Sequence, residues 1–118
     1  VIYGNDELFS IGSCHVLKQS GEDKACIIAA GITVFEALKA YELLLKHHIP
    51  VSVIDAYSIK PLAQDIIARV VKKSGKRVVT VEDHYPAGGL GEAVAMALIN
   101  EHVSMRCLAD YHMPRSGT

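Results

Sequence analysis

The chain has 118 residues, half of them apolar and 21% charged, with a formal net charge of -1. A chain of this length is one ordinary domain that buries roughly two-thirds of its unfolded surface, so a single core forms without staples. The charge balance excludes the basic excess that nucleic acid or an anionic membrane surface requires, and no apolar run approaches the length of a membrane span. Cys14, Cys26 and Cys107 are isolated and have no CxxC spacing, so neither a disulfide framework nor a zinc site is indicated. They fit a reducing compartment, and the expected location is cytoplasmic. The chain opens on Val1 with no initiator Met and no signal-peptide pattern, as a piece of a longer protein would.

Residues 1–13 alternate weakly and carry Gly4, Asn5, Asp6 and Gly12, which predicts a lead-in from a preceding domain, with the domain proper at 14–118. Residues 14–19 predict a short strand with a polar side, at an edge. Ser20 to Asp23 reads as a turn, and the apolar run 25–30 as a strand covered on both faces. Gly31 ends that strand. Thr33 and Glu36 then match a capping box, opening a helix whose inward stripe is Val34, Ala37, Leu38, Tyr41, Leu44 and Leu45. Lys46, His47 and His48 suit its negative end, and Pro50 marks the exit.

Residues 51–54 predict a third strand and 55–61 a loop. A second helix spans about 62–73, with Ile66, Ile67, Val70 and Val71 inward and Gly75 as a left-handed terminator. A fourth strand at 77–81, a helix at about 90–100, a fifth strand at 104–108 and a terminal loop complete the chain. From the second strand onward, strand and helix alternate, so the expected fold is α/β: three α/β/α layers around a parallel sheet with right-handed crossovers. Functional loops of such sheets lie beyond the carboxyl ends of the strands, where the strand order reverses. The loops 31–34 and 82–91 are the candidates for that crevice.

The fourth strand ends in Glu82, Asp83 and His84, followed by Gly88, Gly89 and Gly91. This compact titratable cluster beside a glycine-rich turn admits acid–base or ligand-orienting work. It equally admits helix capping and contact with a neighbouring domain, because consecutive residues at a strand end point in different directions. The GGxG spacing is neither of the standard nucleotide-loop patterns. Glu92, in the first helical turn, would repel an anion there. Tight helix–strand packing is the plainer use of the glycines. His47 and His48 diverge by about 100° on a helix and do not converge on a metal. His15 and His102 read as surface residues and Cys107 as a core thiol. His112 and Arg115 would bind an anion or fix the terminal segment against a partner. Ser116 lacks a nucleophile-elbow context.

Four segments together resemble the C-terminal domain of transketolase: residues 28–38, residues 53–62, the run Val81 to Val94 that contains EDHYPAGGLGEAV, and Pro114-Arg115-Ser116-Gly117. The resemblance is strongest to animal-type transketolases and transketolase-like proteins. It implies a mixed, mostly parallel five-stranded sheet of order 1-3-2-4-5 with the first strand antiparallel. Local pattern alone would make residues 14–30 a hairpin. The resemblance also implies a parent that transfers two-carbon ketol units between sugar phosphates, using thiamine diphosphate and a divalent metal, Mg or Ca. Those groups would be held by other domains of a homodimer, so that this piece is not catalytic alone and carries no catalytic, cofactor-binding or metal residue. Thr33, Glu82, Asp83, His84, Gly88, Gly89, Gly91 and Arg115 then become candidate interface or anion-binding residues. Members of the family usually continue into a further helical segment, whose lack would leave apolar surface exposed. The rival expectation is a regulatory module binding a small anion or nucleotide between loops 31–34 and 82–91.

Overall fold

The computed structural model describes residues 14–56, 63–83 and 89–110. Its elements are β1 (His15–Lys18), β2 (Cys26–Ala29), α1 (Thr33–Lys46), β3 (Ser52–Asp55), α2 (Gln64–Lys73), β4 (Arg77–Asp83), α3 (Gly89–Ala97) and β5 (Ser104–Asp110). The five strands form one sheet in the order β1-β3-β2-β4-β5. β1 runs antiparallel to β3, and the other neighbours are parallel. This is the order implied by the resemblance, and it corrects the local hairpin reading of 14–30. The physical reason is burial. β2 is apolar throughout and buried at all four positions, so it belongs at the centre, between β3 and β4. β1 is half-exposed and polar on one side, so it takes an edge.

Two cores flank the sheet. Cys26 and Ile28 of β2, Ile54 of β3 and Val78 of β4 pack with Ile67, Val70 and Val71 of α2 and Leu90 and Val94 of α3. Ile27, Ala29 and Val53 pack on the opposite face with Val34 and Ala37 of α1, helped by Leu38, Tyr41 and Leu44. The period of two along each strand thus meets the helical period on both sides. Each fully buried aliphatic side chain contributes about 1.5–3 kcal/mol. α1 is the single helix on its face among the described residues. The strip over β4 and β5 has no helix above it there: Val79 and Val81 are half-buried and Leu108 is 54% exposed.

Several boundaries differ from the sequence reading. β4 extends to Asp83 and β5 to Asp110, because parallel pairing between them continues to their last residues. α1 ends at Lys46, and His48 takes a left-handed φ of 63°. Ile49 donates its N–H to the Leu44 carbonyl at 2.9 Å and His48 to Leu45 at 3.0 Å, a Schellman closure built without glycine. Leu45 falls off the inward stripe and is exposed. At the end of α2, Gly75 has the expected left-handed φ of 67°. A Cβ there would stand 2.6 Å from the Lys24 carbonyl oxygen, so the turn also needs glycine for room.

Cys26 is fully buried, and burial pushes its thiol from 9.0 up to about 12. Below pH 9 the thiol is neutral in both the folded and the unfolded chain. Above it the unfolded thiol ionises while the folded one stays protonated, so stability falls as pH rises toward the folded value. The expected slope from this group is about 1.4 kcal/mol per pH unit. Urea midpoints measured from pH 8 to about pH 10 check it: Cys26→Ala should flatten the alkaline fall, whatever its effect at neutral pH.

Candidate functional site

β2 and β4 lie side by side, and the chain leaves them toward opposite faces, into α1 and into α3. This is the switch point anticipated from loops 31–34 and 82–91. On its α1 side, Gly31 turns the chain with φ 66°, and the backbone is already helical at Ile32. Thr33 is therefore inside the helix and not before it, and no side chain caps the helix N-terminus. The Thr33 hydroxyl points back to the strand ends. It accepts the Ala30 N–H at 3.1 Å and lies 2.7 Å from the Ala30 carbonyl and 2.8 Å from the Val81 carbonyl, which compete for its one proton. The capping-box reading is thus corrected. Thr33 stitches β2 to β4 across the crevice, and Glu36 instead forms an exposed ion pair with Lys39 at 3.6 Å.

On the α3 side, Glu82 stands on the same strand face as Val78 and Thr80. Its two carboxylate oxygens accept the N–H groups of Leu90 at 3.1 Å and Gly91 at 3.2 Å. These are backbone donors that a helix start leaves without intrahelical partners, and a negative charge is favoured against them. Gly91 is the glycine this contact demands. A Cβ on it would meet Cys107 Sγ at 3.1 Å and Glu82 Oε2 at 3.2 Å, whereas a Cβ on Gly89 would meet nothing within 4 Å. An anion approaching this helix end meets the Glu82 carboxylate first. Beneath Glu82, the Thr80 hydroxyl is fully buried and has no hydrogen-bond partner among the described residues.

The comparisons with known proteins agree on one family. The family model described as "Transketolase, C-terminal domain" matches residues 12–117. The chain belongs to the transketolase C-terminal domain family. It is 42% identical to human transketolase and 46% identical to transketolase-like protein 1 of Macaca fascicularis, each over 99% of its length. It spans about a fifth of the length of these relatives, 19% and 20%. Among solved structures, a protein titled "Split gene transketolase, inactive beta4 tetramer" superposes with a TM-score of 0.82 at 29% identity, over 98% of this chain and 38% of that one. A Campylobacter jejuni transketolase shares the fold, with a TM-score of 0.58 at 19% identity over 91% of this chain and 16% of that one.

Within this transketolase C-terminal domain, Thr33, Glu82, Gly89 and Gly91 gather at the β2–β4 switch point. The side chain of Asp83, and His84, Gly88 and Arg115, lie outside the described residues. Cys107, expected in the core, is exposed at the outer edge of β5, because β5 has a neighbour on one side only. His15 is half-buried, where a surface position was expected. Asp55 was assigned to a loop, yet it ends β3, between His15 of β1 and Ala29 of β2 in register. Burial pushes its carboxyl above the ordinary range. The signal that would have found it is the need of Ala29, at the end of β2, for a partner on β3. Elsewhere, an open groove between α2 and the end of α3 is lined by charges of both signs, with Lys72 paired to Glu101 at 3.7 Å. Among the described residues no group of three His, Cys, Asp or Glu side chains converges as a metal site would, and no helix is long and apolar enough to cross a membrane.

Proposed function

We propose that this chain serves as the non-catalytic C-terminal domain of a cytoplasmic transketolase, buttressing the preceding domains and supporting association of two copies. The parent would transfer two-carbon ketol units between sugar phosphates. The observation that carries this reading is the engagement of Glu82. Both its oxygens accept N–H groups at the start of α3, so the best-placed carboxylate of the switch point is engaged in holding structure. Thr33 is likewise buried and fully occupied.

The start of α3 does not fit the diphosphate of thiamine diphosphate. A diphosphate needs donors at a helix start or basic side chains, and the α3 start already carries a carboxylate. We therefore assign the cofactor to the other domains of the parent and route no step through it here. The same carboxylate weighs against the α3 side of the regulatory-module reading, which places an anion or nucleotide between loops 31–34 and 82–91. The split-gene relative supports the chosen reading, since self-assembly and inactivity stand together in its description. The test is direct. The isolated chain, supplied with thiamine diphosphate, magnesium and a ketose phosphate–aldose phosphate pair, should give no ketol transfer. Turnover above the cofactor-only rate would sink the proposal.

A further inference from the structure

The two edges of the sheet are built differently. β1 is four residues long, and its register shifts between Val16 and Lys18, with Lys18 Nζ drawn 5.2 Å from the centre of the Tyr41 ring. Short, bulged and charged edges resist pairing with another chain. β5 is seven residues long, and its register with β4 is unbroken from Ser104 to Asp110. Among the described residues nothing pairs with its outer side. Ser104 donates its N–H to Lys76 at 2.9 Å, toward β4. Backbone groups alternate along a strand, so Met105, Cys107 and Ala109 turn their N–H and C=O groups outward. Arg106, Cys107 and Leu108 are all exposed on this edge.

We propose that the outer edge of β5 pairs with the β5 edge of a second copy, antiparallel, about a two-fold axis at Leu108. The proposal rests on the self-association put forward above and names its surface. This register sets the outward groups of Cys107 and Ala109 against those of Ala109 and Cys107 in the other copy, as a hydrogen-bonded pair requires. Leu108 meets Leu108 on the axis, in the closer, non-hydrogen-bonded pairing. A register centred on Arg106 would set arginine against arginine, and one centred on Cys107 would leave Arg106 opposite Leu108. The Leu108 face also continues the apolar strip of Val79 and Val81, so pairing joins two such strips across the axis. The occupant is therefore a second copy: this register keeps the Arg106 side chains apart and sets an apolar residue on the axis of an isologous interface.

The full chain, followed by analytical ultracentrifugation over a concentration series, should show a monomer–dimer equilibrium. Leu108→Lys and Leu108→Glu should each weaken it about tenfold or more, because like charges then face each other on the axis. An equimolar mixture of the two variants should restore dimerisation, since only the mixed pair sets lysine against glutamate. As a second readout, Ala109→Cys should cross-link between copies to Cys107 on mild oxidation, with the Cα separation of a hydrogen-bonded pair falling in the range a disulfide spans. A dimer indifferent to both Leu108 variants overturns this surface and leaves self-association standing. A monomer at every concentration overturns both, and binding of the Leu108 edge to the other domains of the parent instead of a second copy overturns the choice of occupant.

Discussion

Thr33→Val should lower the stability of the domain by about 2–4 kcal/mol, seen as a fall in the urea midpoint with an unchanged slope. Valine matches threonine in shape, so no cavity forms at this fully buried position and the loss is the hydroxyl alone. Its removal leaves the Ala30 N–H without its acceptor and the carbonyls of Ala30 and Val81 without a shared donor. Each buried group so orphaned costs about 1–3 kcal/mol, and they lie at the ends of the two central strands. Thr33→Ser keeps the hydroxyl and should cost about 1 kcal/mol, from the lost methyl. The contrast with Glu36 decides between two accounts of the same sequence. A capping box makes Thr33 and Glu36 reciprocal partners, so both substitutions would cost alike. With Glu36 in an exposed pair with Lys39, Glu36→Ala should change stability by about 0.5 kcal/mol at most.

That contrast shows where the sequence speaks and where it is silent. The βα alternation, the two-face burial of β2 and the left-handed Gly75 are local or periodic signals, and they are present in the structure. The separation of β1 from β2 in the sheet is not local. It follows from β3 inserting between them, and only the resemblance of whole segments carried it. Thr33 and Glu36 have the right types and spacing for a cap, but the backbone turns helical one residue early, at Ile32. The hydroxyl then binds the carbonyl of Val81, 48 positions away, and caps none of the free N–H groups that a local pattern would assign to it. Cys107 was misplaced for a related reason. An apolar strand pattern does not tell whether a neighbour exists on its far side.

Glu82 and Gly91 are the pair in which chemistry-bearing residues are engaged in local structure. From sequence, an acid at a strand end before glycines admits a catalyst as well as the cap or interface residue favoured above. The geometry supports the cap, because both oxygens accept N–H groups of the α3 start. Gly91 is the counterpart: it lets the α3 start approach Glu82 and Cys107 closely enough for the carboxylate to reach two N–H groups at once. This makes the pair a clamp between β4 and α3.

Glu82→Ala should accordingly cost about 2–3 kcal/mol, a value below two full charge-assisted bonds because the site is only partly buried. Glu82→Gln offers one oxygen for two donors and turns its amide nitrogen toward the other, so about half the loss should appear. Amide hydrogen exchange gives the local test: protection of Leu90 and Gly91 should fall in the order Glu, Gln, Ala, while that of β2 amides tracks global stability alone. In the parent enzyme the same series should weaken domain association before it alters the chemical step. A full loss of turnover by Glu82→Gln, with stability, association and cofactor affinity all intact, would give Glu82 a catalytic role and overturn the structural one.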